Sequence, residues 1–193
     1  LWTNRYVEFN GNWYYLGNDG KPVTGAQTIN GQEVFFHRYH GFQIKGDFAG
    51  YYSEVSTDGN YYDGQTGDKV THKGFVQRKL GDWFYLDDKG DKVMGLQTID
   101  GKLYYFTASG ASKYIQYGKQ VKGEAISFVN NSKYAPVYGV GTNDKVTQRY
   151  YFDENTGEAV KNRYIYLQGD WYYFGEDSNA IRPESGEAVI DGQ

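Results

Sequence analysis

Two short stretches carry the most evident chemistry in this sequence: HGFQIKGD at 40–47 and YGKQVKGE at 117–124. Side chains alternate sides along an extended strand, so Gln43 and Lys45 share one face while Ile44 takes the other. Gln120 and Lys122 flank Val121 in the same way. A glutamine amide donates and accepts, and a lysine ammonium offers three donors on a flexible stem, so each pair is equipped for hydrogen bonding. Metal chemistry is poorly served by comparison. His37 and His40 stand close together in FHRYHG and His72 is the third histidine, but none has a carboxylate at a recognisable ligand spacing. DGQTGD at 63–68 and DENTGE at 153–158 look faintly like calcium loops, yet they lack the pattern that ends in a twelfth-position glutamate. Turn chemistry accounts for them. The 24 acidic residues are scattered over turns, with no acid and base set apart as a catalytic pair.

The elements that must hold these pairs are repeated. GNWYYLGNDGKPVTGAQTINGQEVFF at 11–36 aligns with GDWFYLDDKGDKVMGLQTIDGKLYYF at 81–106, seventy positions on. The second copy is then seven residues longer before its Gln-x-Lys, within TASGASKYIQYG at 107–118. GNYYDGQTGDKV at 59–70 returns as RYYFDENTGEAV at 149–160, and RYVEFNGNWYYL at 5–16 as RYIYLQGDWYYF at 163–174. Runs such as NWYYL and KLYYF are short, aromatic and bounded by Gly, Asn and Asp, which is how strands read. Asn-Gly at 10–11 and 30–31, and Asp-Gly at 19–20, 58–59 and 100–101, supply the positive φ angles of tight hairpin turns. The reading is therefore all-β: a β-solenoid of stacked β-hairpin repeats, forming a single domain over 1–193 with approximate units 1–74, 75–162 and a partial 163–193. A lone hairpin is marginal in water, so each must bury its aromatic face on its neighbours.

Composition agrees with a thin aromatic core. Tyr, Phe and Trp, at 21, 11 and 4, outnumber Leu, Ile and Val together. Each large ring buries roughly 150–250 Å². Trp13, Trp83 and Trp171 share one repeat position and are read as structural, as are most of the aromatics. A net charge of −4 argues against a nucleic-acid partner. No apolar run is long enough for a transmembrane helix, and mean hydropathy is −0.75, so no membrane partner is expected. The absence of cysteine removes a disulfide framework and any thiolate metal site. No cofactor is expected.

The succession of WYYL, a glycine turn, TGAQTING, a YF-type strand and GFQIKG resembles the glucan-binding repeats of the large secreted glucansucrases. It is more distantly similar to choline-binding wall anchors and to the carbohydrate-binding repeats of clostridial toxins. The resemblance covers nearly the whole chain and is weakest over 123–148 and the last ten or so residues. It implies a secreted, non-catalytic β-solenoid that binds α-glucan such as dextran, next to a covalently attached catalytic barrel. At 193 residues the chain is shorter than the roughly 250 of such a barrel. In that family a sugar pocket combines a stacking aromatic, the Gln and Lys of Gln-x-Lys, and nearby Thr. Carried onto this sequence, the first pocket comprises Thr28, Phe35, Gln43 and Lys45, and the second Thr98, Tyr105, Gln120 and Lys122. Tyr61 and Tyr62, then Tyr150 and Tyr151, are secondary candidates from the next hairpin.

A pyranose supports that transfer on physical grounds, because it has an apolar C–H face and a hydroxyl rim, and so calls for a ring platform edged with donors and acceptors. Phe35 lacks the hydroxyl of Tyr105, which would make the first pocket the weaker. The longer loop before Gln120 would cover or reshape the second. In the third unit RPESGEAV replaces the expected continuation and no Gln-x-Lys follows, so no complete pocket is expected there. Two other readings stand beside this one: a choline or cell-wall anchor, built on an aromatic cage around a quaternary ammonium, and a structural spacer, in which the Gln-x-Lys residues are an ordinary solvated strand face.

Overall fold

The computed structural model describes residues 1–49, 59–108, 117–129, 136–137 and 146–180. Every regular element among them is a strand, and packing divides the chain into two compact units that meet in sequence at Val93 and Met94. The first unit holds four antiparallel pairs: β1 (Arg5–Phe9) with β2 (Asn12–Leu16), β3 (Gly25–Ile29) with β4 (Gln32–Phe36), β5 (Asp47–Phe48) with β6 (Tyr61–Tyr62), and β7 (Gly74–Gln77) with β8 (Trp83–Leu86). The second holds β9 (Gly95–Ile99) with β10 (Lys102–Phe106), and β11 (Glu124–Val129) flanked by β12 (Pro136–Val137) and β13 (Val146–Phe152). It ends with β14 (Arg163–Leu167) paired to β15 (Asp170–Phe174).

Turn residues fix the hairpins. Asn10 and Gly11, Asn30 and Gly31, and Asp100 and Gly101 all take positive φ, as a two-residue mirror-image turn requires. Gln168 and Gly169 do the same, although Gln-Gly carries no strong turn signal in sequence. Asp19-Gly20 behaves differently: only Gly20 has positive φ, and the turn is closed by Gly17 N donating to Lys21 O at 2.9 Å. At 58–59 the Asp lies outside the described residues.

Each hairpin ends on an inward side chain that is bridged by the returning chain: Leu16 to Pro22, Phe36 to Gln43, Tyr62 to Lys69, Leu86 to Lys92, Phe106 to Gln120, Phe152 to Ala159 and Phe174 to Ala180. From Phe36 onward these inward residues are essentially sealed from water. The return also bonds back to the preceding hairpin. Gln43 N donates to Trp13 O and Lys69 N to Glu33 O in the first unit, as do Ala159 N to Leu103 O and Ala180 N to Arg149 O in the second. Hairpins are thus stitched to their neighbours by backbone bonds, and aromatic clusters fill the gaps between them. Phe36 packs with Ile29 and Val34 beneath Tyr6 and Tyr15, and Phe48 with Tyr61, Val70, Phe84 and Leu86. In the second unit Tyr105, Phe128, Tyr150 and Phe152 form one larger cluster. Stacked hairpins are what the repeats predict, and this is what the chain builds within each unit.

The turn between β7 and β8 is five residues long, and it folds Arg78 inward to 3% exposure, between Asp47 Oδ1 at 2.8 Å and Asp82 Oδ2 at 3.2 Å. Lys92 Nζ lies 4.7 Å from the Phe48 ring centre; burial, and then the Arg78 charge, hold its ammonium below the ordinary value.

Candidate functional site

The Gln-x-Lys stretches lie where alternation puts them. Ile44 N donates to Phe35 O at 2.8 Å and Val121 N to Tyr105 O at 2.9 Å, which seats each stretch beside the second strand of its hairpin. Ile44 and Val121 turn into the aromatic clusters. Gln43, Lys45, Gln120 and Lys122 turn the other way, toward the next turn along the chain.

That face is not an ordinary solvated one. Gln43 and Gln120 are only 9% and 6% exposed. Gln120 Nε2 donates to Thr156 O at 3.2 Å and Lys122 Nζ to Asn155 O at 3.1 Å, while Lys45 Nζ donates to Gln65 O at 3.3 Å. Both pairs therefore grip the turns DGQTGD and DENTGE. Gly67 and Gly157 make the approach possible. Their φ angles are +78° and +72°, and a Cβ at either position would run into the Gln43 or Gln120 amide.

The gripped turns are built by their own side chains. Asp63 Oδ1 accepts from Gln65 N and Thr66 N, each at 2.8 Å, and Asp153 Oδ1 from Asn155 N and Thr156 N at 2.8 and 2.9 Å. Those backbone bonds hold both carboxyls below the ordinary aspartate value. Asp68 N and Glu158 N donate in turn to the threonine hydroxyls. These loops are Asx turns, as the sequence suggests, and their D-x-x-T-G pattern is the readable signal of what the Gln-x-Lys pairs hold.

The remaining candidates divide into open and closed positions. Thr28 lies opposite Glu33, and Thr98 opposite Leu103, each exposed on the same hairpin face as Phe35 or Tyr105. Phe35 and Tyr105 are only 7% and 2% exposed. Phe35 is covered by Ala49 and Tyr62, and Tyr105 lies between Phe128 and Phe152, so neither ring presents an open platform. Tyr61 is core, its hydroxyl donating to Gln77 O at 2.6 Å; Tyr62 and Tyr150 are also buried, whereas Tyr151 is half-buried beside Phe174. The insertion before Gln120 lies largely outside the described residues, as does RPESGEAV.

The structure corrects the reading of the tryptophans. Trp13 and Trp171 are 40% and 68% exposed, because each sits next to a two-residue turn at the rim of its hairpin, beyond the reach of the cluster. Trp171 lies 5.3 Å from the exposed Tyr166. His37 is likewise a turn builder: its Nδ1 accepts from Tyr39 N and His40 N at 3.2 Å, and its ring stacks on His40 and Phe42. Burial and then the neighbouring His40 hold its pKa below the ordinary value. Among the described residues no three His, Asp or Glu side chains gather as a metal site.

With this geometry in hand, the chain can be set beside known proteins. Residues 23–75 match the choline-binding repeat, and residues 4–21, 73–92 and 94–112 match the putative cell wall binding repeat. The chain is 38% identical to Glucosyltransferase-I of Streptococcus downei, covering 98% of this chain and 10% of that protein. It is 32% identical to Glucosyltransferase-S of Streptococcus mutans, covering 100% of this chain and 11% of that protein. It thus spans about a tenth of the length of the curated relatives it matches. Similar solved structures include alternansucrase in complex with isomaltononaose, at 26% identity and TM-score 0.34, covering 94% of this chain and 15% of that one. Choline binding protein F from Streptococcus pneumoniae is another, at 23% identity and TM-score 0.44, covering 93% and 51%. The matching models describe binding repeats, and the stretch shared with each glucosyltransferase is a small part of it; the chain itself is non-catalytic. It belongs to the choline-binding and cell wall binding repeats, and the streptococcal glucosyltransferases it resembles match it over a small part of their length.

Proposed function

We propose that this chain is a carbohydrate-binding module for α-glucan of the dextran or isomalto-oligosaccharide type, part of a secreted glucansucrase whose catalytic domain lies elsewhere on the same polypeptide. The observation that carries the reading is the duplicated grip: in both units a buried Gln and a half-exposed Lys converge on a D-x-x-T-G turn. The similarity to glucosyltransferases along nearly the whole chain supports it.

In this reading Lys45, Lys122, Thr28 and Thr98 meet sugar hydroxyls, and Gln43 and Gln120 orient the turn that forms one wall. Phe35 and Tyr105 back the site from within the core, and Tyr151 is the candidate ring with an open edge. Tyr61, Tyr62 and Tyr150 support the adjoining wall. A pocket that contacts one to three glucose units binds weakly, with Kd on the order of 0.1–1 mM, or about 4–5.5 kcal/mol. Two pockets on one polypeptide raise the effective concentration for a polymer long enough to engage both.

Titration with isomaltotriose, followed by backbone and Gln side-chain amide shifts, tests the reading. Saturable shifts that vanish in Gln120→Ala support it, and a spectrum indifferent to the sugar would sink it. One observation favours a choline or wall anchor instead: the open Tyr166 and Trp171 pair offers aromatic faces of the kind a quaternary ammonium prefers. Shifts with choline alone would select that reading. Silence with both ligands would leave a spacer.

A further inference from the structure

A groove of about 450 Å³ opens in the second unit, and neither Gln120 nor Lys122 lines it. Its floor is apolar, made by Leu103 of β10 with Ala159 and Val160 of the return after β13. Ala159 N donates to Leu103 O at 2.8 Å, which fixes that floor. Its rim carries both signs of charge, with the exposed Lys161 beside two ion pairs. Lys102 Nζ lies 2.6 Å from Glu158 Oε1, and Arg163 Nη1 lies 3.4 Å from Asp153 Oδ2. Thr156 joins the groove to the grip described above, because it lines the groove and its carbonyl accepts from Gln120.

We propose that this groove is a further binding site for a neutral polyhydroxyl chain, holding glucan units beyond those at Gln120 and Lys122. The proposal rests on the glucan reading. An anionic ligand would meet the carboxylates of Asp153 and Glu158 at the same rim. A sugar hydroxyl donates and accepts at once, so it can add to a paired carboxylate and ammonium and displace neither. The apolar floor suits the C–H face of a pyranose, and the volume lies within the roughly 300–1,000 Å³ of small-molecule sites. The bond to Glu158 raises the Lys102 pKa, so that donor stays charged at neutral pH.

The first unit supplies an independent argument. At the equivalent place Gln32 Nε2 faces Asp68 Oδ2 at 3.4 Å. A donor and a carboxylate thus occupy this position in both copies, although one donor is neutral and the other charged. Hydrogen-bonding capacity is what the two copies share, as a neutral ligand requires.

The whole chain is titrated with isomaltotriose and with isomaltohexaose, following the amides of residues 101–103 and 158–161 and the Gln120 side chain. The hexasaccharide is expected to move both sets. The double variant K102A/E158A should weaken the hexasaccharide by about 3–10-fold, the worth of one hydrogen bond, and leave the trisaccharide within about two-fold. K102Q, which copies the first unit, should retain hexasaccharide binding. If the double variant loses its dispersed spectrum, K102A alone provides the comparison. Movement at Gln120 with groove amides that stay still, or an unchanged hexasaccharide affinity in K102A/E158A, overturns the groove and leaves the glucan reading standing. No movement at either place removes both.

Discussion

The two Gln-x-Lys grips use the same backbone and differ in what finishes them. In the second unit Gln120 and Lys122 each donate to a turn carbonyl, at 3.2 and 3.1 Å. In the first, Lys45 reaches Gln65 O at 3.3 Å and the Gln43 amide lies over Gly67. Behind the first grip Phe35 packs in a small cluster with Ala49 and Tyr62; behind the second Tyr105 belongs to a cluster of seven buried residues. The difference teaches that the repeat specifies the turn and the strand that holds it, and leaves the filling to vary.

The sharpest way to break the comparison is to deny both grips their room. Gly67→Ala and Gly157→Ala place a Cβ against the Gln amide at a φ that side chains avoid. Each should cost about 1–3 kcal/mol, from backbone strain together with displacement of the Gln. Chemical denaturation and hydrogen exchange at 63–68 and 153–158 measure the loss, and a near-neutral result at either glycine would mean that its turn is not held.

Next in size, Gln120→Ala leaves the Thr156 carbonyl without its partner and should cost about 1–2 kcal/mol. Gln43→Ala should cost less. Equal losses would mean that the two grips are held alike.

Acid probes the turns together. The folded pKa values of Asp63 and Asp153 are depressed, so the stability they contribute is present above the ordinary aspartate value near 3.8 and is lost as pH falls through their lower folded values. Stability should therefore drop below about pH 4, and Asn substitution at both should flatten that drop. Arg163 at 3.4 Å adds to the lowering at Asp153 and His72 to that at Asp63, so both carboxyls should titrate below the ordinary value, as carboxyl NMR shifts can show.

The smallest effect belongs to the lysines. Lys45→Met and Lys122→Met should change stability by no more than about 1 kcal/mol, because both ammoniums are partly in water. In the glucan reading their loss falls on sugar affinity instead, which an isomaltotriose titration separates from stability.

Much of this was legible from residue order alone. Asn-Gly and Asp-Gly announce their turns because few other residues accept the required φ, and the copies at 11–36 and 81–106 reveal the repeat without coordinates. Alternation placed Gln43 with Lys45 and turned Ile44 away from them. The tryptophans show where such reasoning stops. A shared repeat position suggests a shared structural role, yet Trp13 and Trp171 sit at exposed rims. Position along a repeat does not report how far the next hairpin reaches.

Residue order alone sets the local program: strands rich in rings, turns that need glycine or asparagine, and a Gln-x-Lys pair that follows β4 and again β10. These follow from short-range sterics and period-two alternation, which act within a few residues. Only the tertiary structure decided that Phe35 and Tyr105 are closed rather than open, that Gln120 is committed to a carbonyl 36 residues away, and that Lys102 meets Glu158 across 56. Those outcomes depend on how one hairpin lands on the next, because burial and pairing are set by neighbours in space.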